Sequence, residues 1–193
     1  MNSLQQAGDF LVTTLFDLYT FVLILRFILQ YLRVSYYNPF TQFVVKATGK
    51  LVVPVRRMIP GWRGIDFATL FVILLVTLLK LTMVTFIRYK TAPFFPGLLI
   101  WSFGDLLNLV INLYFFSILI QVLASWLAPA SHSPVMEILY QITWPLMRPF
   151  KRLIPPIGGM DITPIPVIIL LQLVKMLVAN TIIMIGIQVA MSG

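Results

Sequence analysis

Four ionisable residues stand where this apolar chain has little room for charge. Asp17, Arg26, Lys80 and Lys175 each interrupt a long hydrophobic run. A charge at the centre of a membrane-crossing helix costs roughly 2.5–3.5 kcal/mol on insertion scales, so each needs a partner or a role. Two chemistries fit. An acid and an amine on neighbouring helices form a structural clamp, and a file of ionisable groups lines a path for ions or protons. A second set of residues is basic and punctuated by proline. "VPVRRMIPGWRGID" spans Val53–Asp66 and "RPFKRLIPPIGGMD" spans Arg148–Asp161. The cation pairs Arg56-Arg57 and Lys151-Arg152 stand beside apolar neighbours there. That composition suits the headgroup level of a bilayer, where each Lys or Arg near an anionic surface contributes about 1 kcal/mol. The other reading is a contact surface for a partner or ligand, with Arg57 and Arg152 foremost.

Enzymatic chemistry finds little to work with. The single His and six acids are scattered, and there is no Cys. His132 has no second ligand at metal spacing, and no glycine-rich phosphate loop or nucleophile motif occurs. No span contains a His that would serve haem. The expectation is no catalytic residue, no cofactor and no metal. The net charge of +8 raises nucleic acid, but the basic loops are too hydrophobic to enter a groove, so no nucleic-acid partner is expected.

The elements that carry these residues follow from composition. Of 193 residues, 60% are hydrophobic and 10% charged, whereas soluble domains carry about 25% charged residues. A helix needs about 20 apolar residues to cross the hydrocarbon. Four stretches meet that length: about Phe10–Leu32, Phe67–Ile87, Leu106–Leu127 and Pro164–Ala190. The first is read as a retained span, because no basic region precedes it and no small-residue cleavage site follows. The loop Arg33–Ile65 holds six cations and the loop Ala128–Thr163 holds three, against Arg88 and Lys90 in the loop between the second and third spans. The positive-inside rule then puts the first and third loops in the cytoplasm and both termini outside. The expected location is a bacterial inner membrane, with anionic headgroups as the first partner and a membrane protein or a second copy as another.

The two basic strings repeat at a fixed shift. Pro149 lies 95 positions after Pro54, and the same shift pairs Arg57 with Arg152, Gly64 with Gly159, and Asp66 with Asp161. It also pairs Asp17 with Asn112, Thr48 with Thr143, and Lys80 with Lys175. Self-similarity at one shift signals duplication. The expected fold is an all-α membrane protein of four transmembrane helices in two parallel repeats, 10–90 and 105–190. Each repeat is span, amphipathic cytoplasmic loop helix, span. The loop helices start at Pro39 and Pro134, since proline suits the first turn. Their expected apolar stripes are Phe40, Phe43, Val44, Ala47 and Leu51 in the first, and Val135, Ile138, Leu139, Ile142 and Leu146 in the second. Pro54 and Pro149 should end them, leaving one short turn before Pro60 and Pro155. Asp66 should cap the next span, while in the second repeat either Asp161 or Thr163 ahead of Pro164 serves. At 1.5 Å per residue, Asp17 and Lys80 lie about 24 and 21 Å from the cytoplasmic ends of their helices. They should therefore face each other. Lys175, opposite Asn112, either pairs with Asp17 across the repeats or reaches outer headgroups. Arg26, about 10 Å from the inner end, should reach towards Asp66. Two lysines against one acid do not favour a cation site unless a lysine is deprotonated.

The second string with its flanks, "TWPLMRPFKRLIPPIGGMDITP" (Thr143–Pro164), resembles the signature of the YggT family, also called YlmG, of bacteria and chloroplasts. The first copy, from Thr48, is looser: "GWRGID" replaces the usual glycine-rich turn, and Lys50 stands where the second copy has Pro145. The resemblance covers nearly the whole chain. It implies a small integral membrane protein of undefined biochemistry. Members are linked to osmotic stress and ion homeostasis, lie near division genes, or, in chloroplasts, help mature a b-type cytochrome or distribute nucleoids. The family supplies no catalytic residues. A membrane scaffold or assembly factor is the favoured expectation, with an oligomeric ion channel or transporter as the alternative.

Overall fold

The computed structural model describes residues 2–127, 133–154 and 161–192. Among them the chain is all helix apart from turns and one isolated bridge, Trp62–Ile65. The order is α1 (Ser3–Tyr31), α2 (Pro39–Met58), α3 (Phe67–Tyr89), α4 (Phe95–Leu127), α5 (Pro134–Leu153) and α6 (Pro164–Val174). A π-helical turn, Lys175–Ala179, then joins α6 to α7 (Asn180–Met191). Four helical stretches are long and apolar enough to cross a membrane: Ser3–Tyr31, Phe67–Tyr89, Phe95–Ser125 and Pro164–Met191. The third begins at Phe95, not near Leu106 as the sequence suggested. "FPGLLIWSFG" continues the apolar run without a break, and Asp105 thereby falls inside a span.

α1 packs on α3, and α4 packs on the α6–α7 rod. The second pairing is close because it is made by glycines. A Cβ at Gly97 would meet the Ala190 backbone nitrogen at 2.1 Å, and one at Gly186 would meet that of Trp101 at 2.4 Å. Small residues let helix backbones approach, which is how helices associate where lipid removes the hydrophobic drive.

α2 and α5 begin as the sequence requires, with Asn38 and Ser133 accepting from Phe40 N and Val135 N ahead of a first-turn proline. They do not end as expected. Pro54 lies inside α2, which runs to Met58, and Pro149 lies inside α5, which runs to Leu153. Each proline removes one backbone bond, but both rings sit on exposed faces, where solvent or headgroups can satisfy the freed carbonyl. The buried face of α2 is Thr41, Val44, Thr48 and Val52, so Phe43, Ala47 and Leu51 of the expected stripe are exposed. In α5 the buried face is Ile138, Ile142, Thr143 and Met147, with Val135 exposed. The chain leaves α2 through Pro60 into a tight turn. Trp62 and Ile65 exchange backbone hydrogen bonds, with Arg63 at φ 51° and Gly64 at φ 86°. Two positive φ values in succession define a type I′ turn, and glycine relieves the strain at the second. Pro155 lies outside the described residues, as do Gly158, Gly159 and His132.

Candidate functional site

Three helices converge on one ammonium. Lys80, on α3, is 2% exposed, and its Nζ lies 2.5 Å from Asp17 Oδ1 of α1 and 2.5 Å from Asp105 Oδ2 of α4. The expected facing of Asp17 and Lys80 is present. Asp105 is the member that sequence reasoning missed, because it stands just before the expected start of the third span at Leu106. The signal was available in the unbroken apolar run Phe94–Gly104 just before it. With all three groups ionised the cluster carries one net negative charge. Lys80 is the only cation within salt-bridge reach of these two acids among the described residues.

The second half holds a neutral counterpart. Lys175 Nζ donates to Asn112 Oδ1 at 2.9 Å, with the same separation of 63 positions as between Asp17 and Lys80. Lys175 does not pair with Asp17, whose partner is Lys80. With Asp105 counted beside Asp17, Lys80 and Lys175 no longer outnumber the acids inside the spans, which removes the charge argument against a cation path. The helix opens into its π turn at Lys175, whereas α3 passes Lys80 as regular α-helix. Near the far end of α1 and α3, Arg88 binds Asp9 through two hydrogen bonds of 2.9 Å. The positions 95 further on, Gly104 and Ile183, also touch: a Cβ on Gly104 would meet Ile183 at 2.9 Å.

Towards the other end, Arg26 does not reach Asp66. It is 4% exposed and donates from one guanidinium nitrogen to Val45 O at 3.1 Å and Thr48 Oγ1 at 2.8 Å, joining α1 to α2. Gln121 makes the equivalent tie between α4 and α5, to Leu139 O at 3.1 Å and Thr143 Oγ1 at 2.8 Å. A neutral amide and a cation thus do the same job. The reason Asp66 is closed to Arg26 is that Arg56 occupies it, while also donating to Gln30 Oε1 at 2.8 Å. Asp66 caps α3 as expected, accepting from Thr69 N at 3.3 Å and from Thr69 Oγ1 at 2.5 Å. Burial pushes its carboxyl up, but the bonds from Thr69 and Arg56 outweigh burial and hold it below the usual range.

In the second half Lys151 pairs with Asp161 at 3.0 Å. Asp161 accepts from Thr163 N at 2.9 Å, and Thr163 stands at the N-cap of α6 without a side-chain cap bond of its own. Both candidates therefore share that terminus. Burial raises Asp161, but the bonds from Thr163 and Lys151 prevail and its carboxyl is lowered too. Of the four cations in the two adjacent pairs, Arg56 and Lys151 are tied down within the chain. Arg57 and Arg152 are exposed and make no ion pair or side-chain hydrogen bond among the described residues. Between the halves, Ile24, Phe27, Tyr31, Leu106 and Tyr114 line part of an apolar groove of about 350 Å³.

A family model described as CCB3/YggT matches residues 6–87 and 100–182. The chain is 40% identical over 181 residues to an uncharacterized protein of Pseudomonas aeruginosa, covering 93% of this chain and 92% of that one. It is 37% identical over 182 residues to the uncharacterized protein YggT of Escherichia coli K12, covering 93% and 91%. An uncharacterized protein of Vibrio alginolyticus, encoded in a proC 3′ region, is 37% identical over 183 residues, covering 94% and 96%. No solved structure matches the chain.

Proposed function

The chain belongs to the CCB3/YggT family, and on that footing we propose that it is a non-catalytic scaffold of a bacterial inner membrane, built from a duplicated hairpin that presents a basic cytoplasmic platform to anionic lipid. The duplication is supported by contacts that recur 95 positions apart: Asp17–Lys80 with Asn112–Lys175, Arg26–Thr48 with Gln121–Thr143, and Arg56–Asp66 with Lys151–Asp161. α2 and α5 are the platform. Each buries one face and leaves bulky apolar side chains exposed, among them Phe43, Leu51, Tyr140 and Trp144. Such a helix lies in the interface, apolar side to the acyl chains and cations to the headgroups.

The observation that carries this reading is the division of labour within each cation pair. The first member, itself exposed, is ion-paired within the chain, and the second, Arg57 or Arg152, makes no such bond among the described residues at the same place in both halves. The test is thermal stability of purified protein in nanodiscs containing phosphatidylglycerol or phosphatidylcholine alone. The anionic lipid should stabilise the protein, and Arg57→Ala with Arg152→Ala should remove most of that gain without unfolding it in phosphatidylcholine. A gain of equal size in the double variant rejects the platform.

A second reading, ion or proton transport, has one observation in its favour: Asp17 and Asp105 stay 33% and 21% exposed beside a buried ammonium. Proteoliposome flux separates the two. The scaffold gives no flux above protein-free vesicles, whereas transport gives flux that Asp17→Asn or Asp105→Asn abolishes.

A further inference from the structure

The two halves meet through like elements where α1 touches α4 and α2 touches α5, but also through one unlike seam. α3 of the first half packs against α4 of the second, whereas among the described residues no Cα of α6, the π turn or α7 comes within 8 Å of one in α1. A two-fold arrangement of the halves would have required that second contact. The α3–α4 seam is therefore head-to-tail, and it leaves two faces unused. One is the face of the last span that corresponds to the α4-facing side of α3. The other is the face of α1 that corresponds to the α3-facing side of α4. Burial records the difference: 44% of the most apolar window of Phe67–Tyr89 is covered, against 11% for Pro164–Met191.

We infer that these two faces bind each other between copies, the last span of one chain packing on α1 of the next. The inference rests on the duplication proposed above, but not on lipid binding or on the absence of transport. The internal α3–α4 seam supplies the template. Leu81 is 3% exposed there, in one cluster with Leu98 and Trp101 of α4, whereas its counterpart Met176 is 63% exposed. Asp105 meets α3 through Lys80, and its counterpart Phe10 is 67% exposed on α1. A bare apolar face alone would suit lipid. Asn180 does not suit it. Its counterpart Thr85 is fully buried, yet Asn180 is exposed inside an apolar span and its amide makes no hydrogen bond among the described residues. An amide facing hydrocarbon is costly, and Asn side chains hydrogen-bond across helices in membranes. Head-to-tail contacts of this kind close into rings when the rotation permits.

The absence of cysteine makes the test direct. Chains carrying Met176→Cys and Phe10→Cys, each with its own tag, are co-expressed, and native membranes are treated with a short bis-maleimide. Mixed dimers are expected to exceed either like-with-like dimer at least five-fold, and Asn180→Leu, which changes an exposed side chain, should reduce them at least five-fold. Like-with-like dimers in excess would establish a symmetric contact and overturn the proposal. So would monomer alone, or mixed dimers indifferent to Asn180→Leu. Loss of the platform result with the mixed dimer retained would leave this inference standing.

Discussion

At the scale of single residues, the chain hides its charges by sharing them. Lys80 serves two carboxylates, so removing it exposes both. Breaking a buried pair by deleting one partner costs about 3–5 kcal/mol, because the remaining charge is left uncompensated. Lys80→Met should therefore lower the denaturation midpoint sharply in detergent, and Lys80→Met with Asp17→Asn and Asp105→Asn should recover most of the loss. A triple variant as weak as the single would show that packing of the lysine stem, not charge, is what matters. Asp66 gives a second prediction, with a sign fixed by its lowered carboxyl. Its contribution is present above the ordinary value of 3.8 and is lost as pH falls through the lower folded value. Unfolding scans should show stability falling below about pH 4, and Asp66→Asn should flatten that fall while lowering stability at neutral pH. How far these sites were legible varied with the chemistry. Asp17 and Lys80 could be matched by counting residues from the helix ends, because depth along a helix is set by its rise. Arg26 could not be placed that way. Its partners are a carbonyl and a hydroxyl, which every helix offers, and the carboxylate it was expected to seek had a nearer claimant in Arg56.

At the scale of elements, propensity was a good guide to where helices start and a poor one to where they stop. Asn38-Pro39 and Ser133-Pro134 open α2 and α5 because cap and proline act within one turn. Pro54 and Pro149 fail to close them because a missing backbone bond on an exposed face is a cost that packing elsewhere on the helix outweighs. α4 starts earlier than Leu106 because Pro96 fits its first turn and Gly97 is needed for contact. That contact yields the third prediction. Gly186→Leu would drive a side chain into the Trp101 backbone, whose nitrogen lies 2.4 Å from the added Cβ. No flexible side chain stands there to give way, so α4 and α7 must separate. The folded yield in detergent should collapse. Gly49→Ala, where a Cβ meets nothing within 4 Å, should be tolerated. Equal yields from the two variants would mean that α4 and α7 do not approach as closely as the glycines allow.

At the scale of the whole molecule, the remaining question is which end faces which compartment, and the ties between helices reduce it to one choice. α2 joins the ends of α1 and α3 nearest Arg26 and Asp66, and α5 stands in the same relation to α4 and the last span. Asn38 Nδ2 donates to Pro134 O at 3.0 Å, so both platform helices lie at one end of the bundle. That end carries Lys46, Lys50, Arg57, Arg148 and Arg152, while the turn between α3 and α4 carries Lys90 beside the paired Arg88. Asymmetry of this kind orients a membrane protein with the cation-rich end in the cytoplasm. Single cysteines can report the orientation without altering the ion pairs. Thr91→Cys in the α3–α4 turn should react with a membrane-impermeant maleimide on intact spheroplasts. Lys46→Cys in α2 and Arg152→Cys in α5 should react only after permeabilisation. Labelling of Lys46→Cys and Arg152→Cys from outside, with Thr91→Cys protected, would invert the molecule and leave the exposed arginines facing away from the anionic leaflet. Labelling that divides the two platform positions between the compartments would contradict the Asn38–Pro134 tie, and with it the side-by-side packing of the halves.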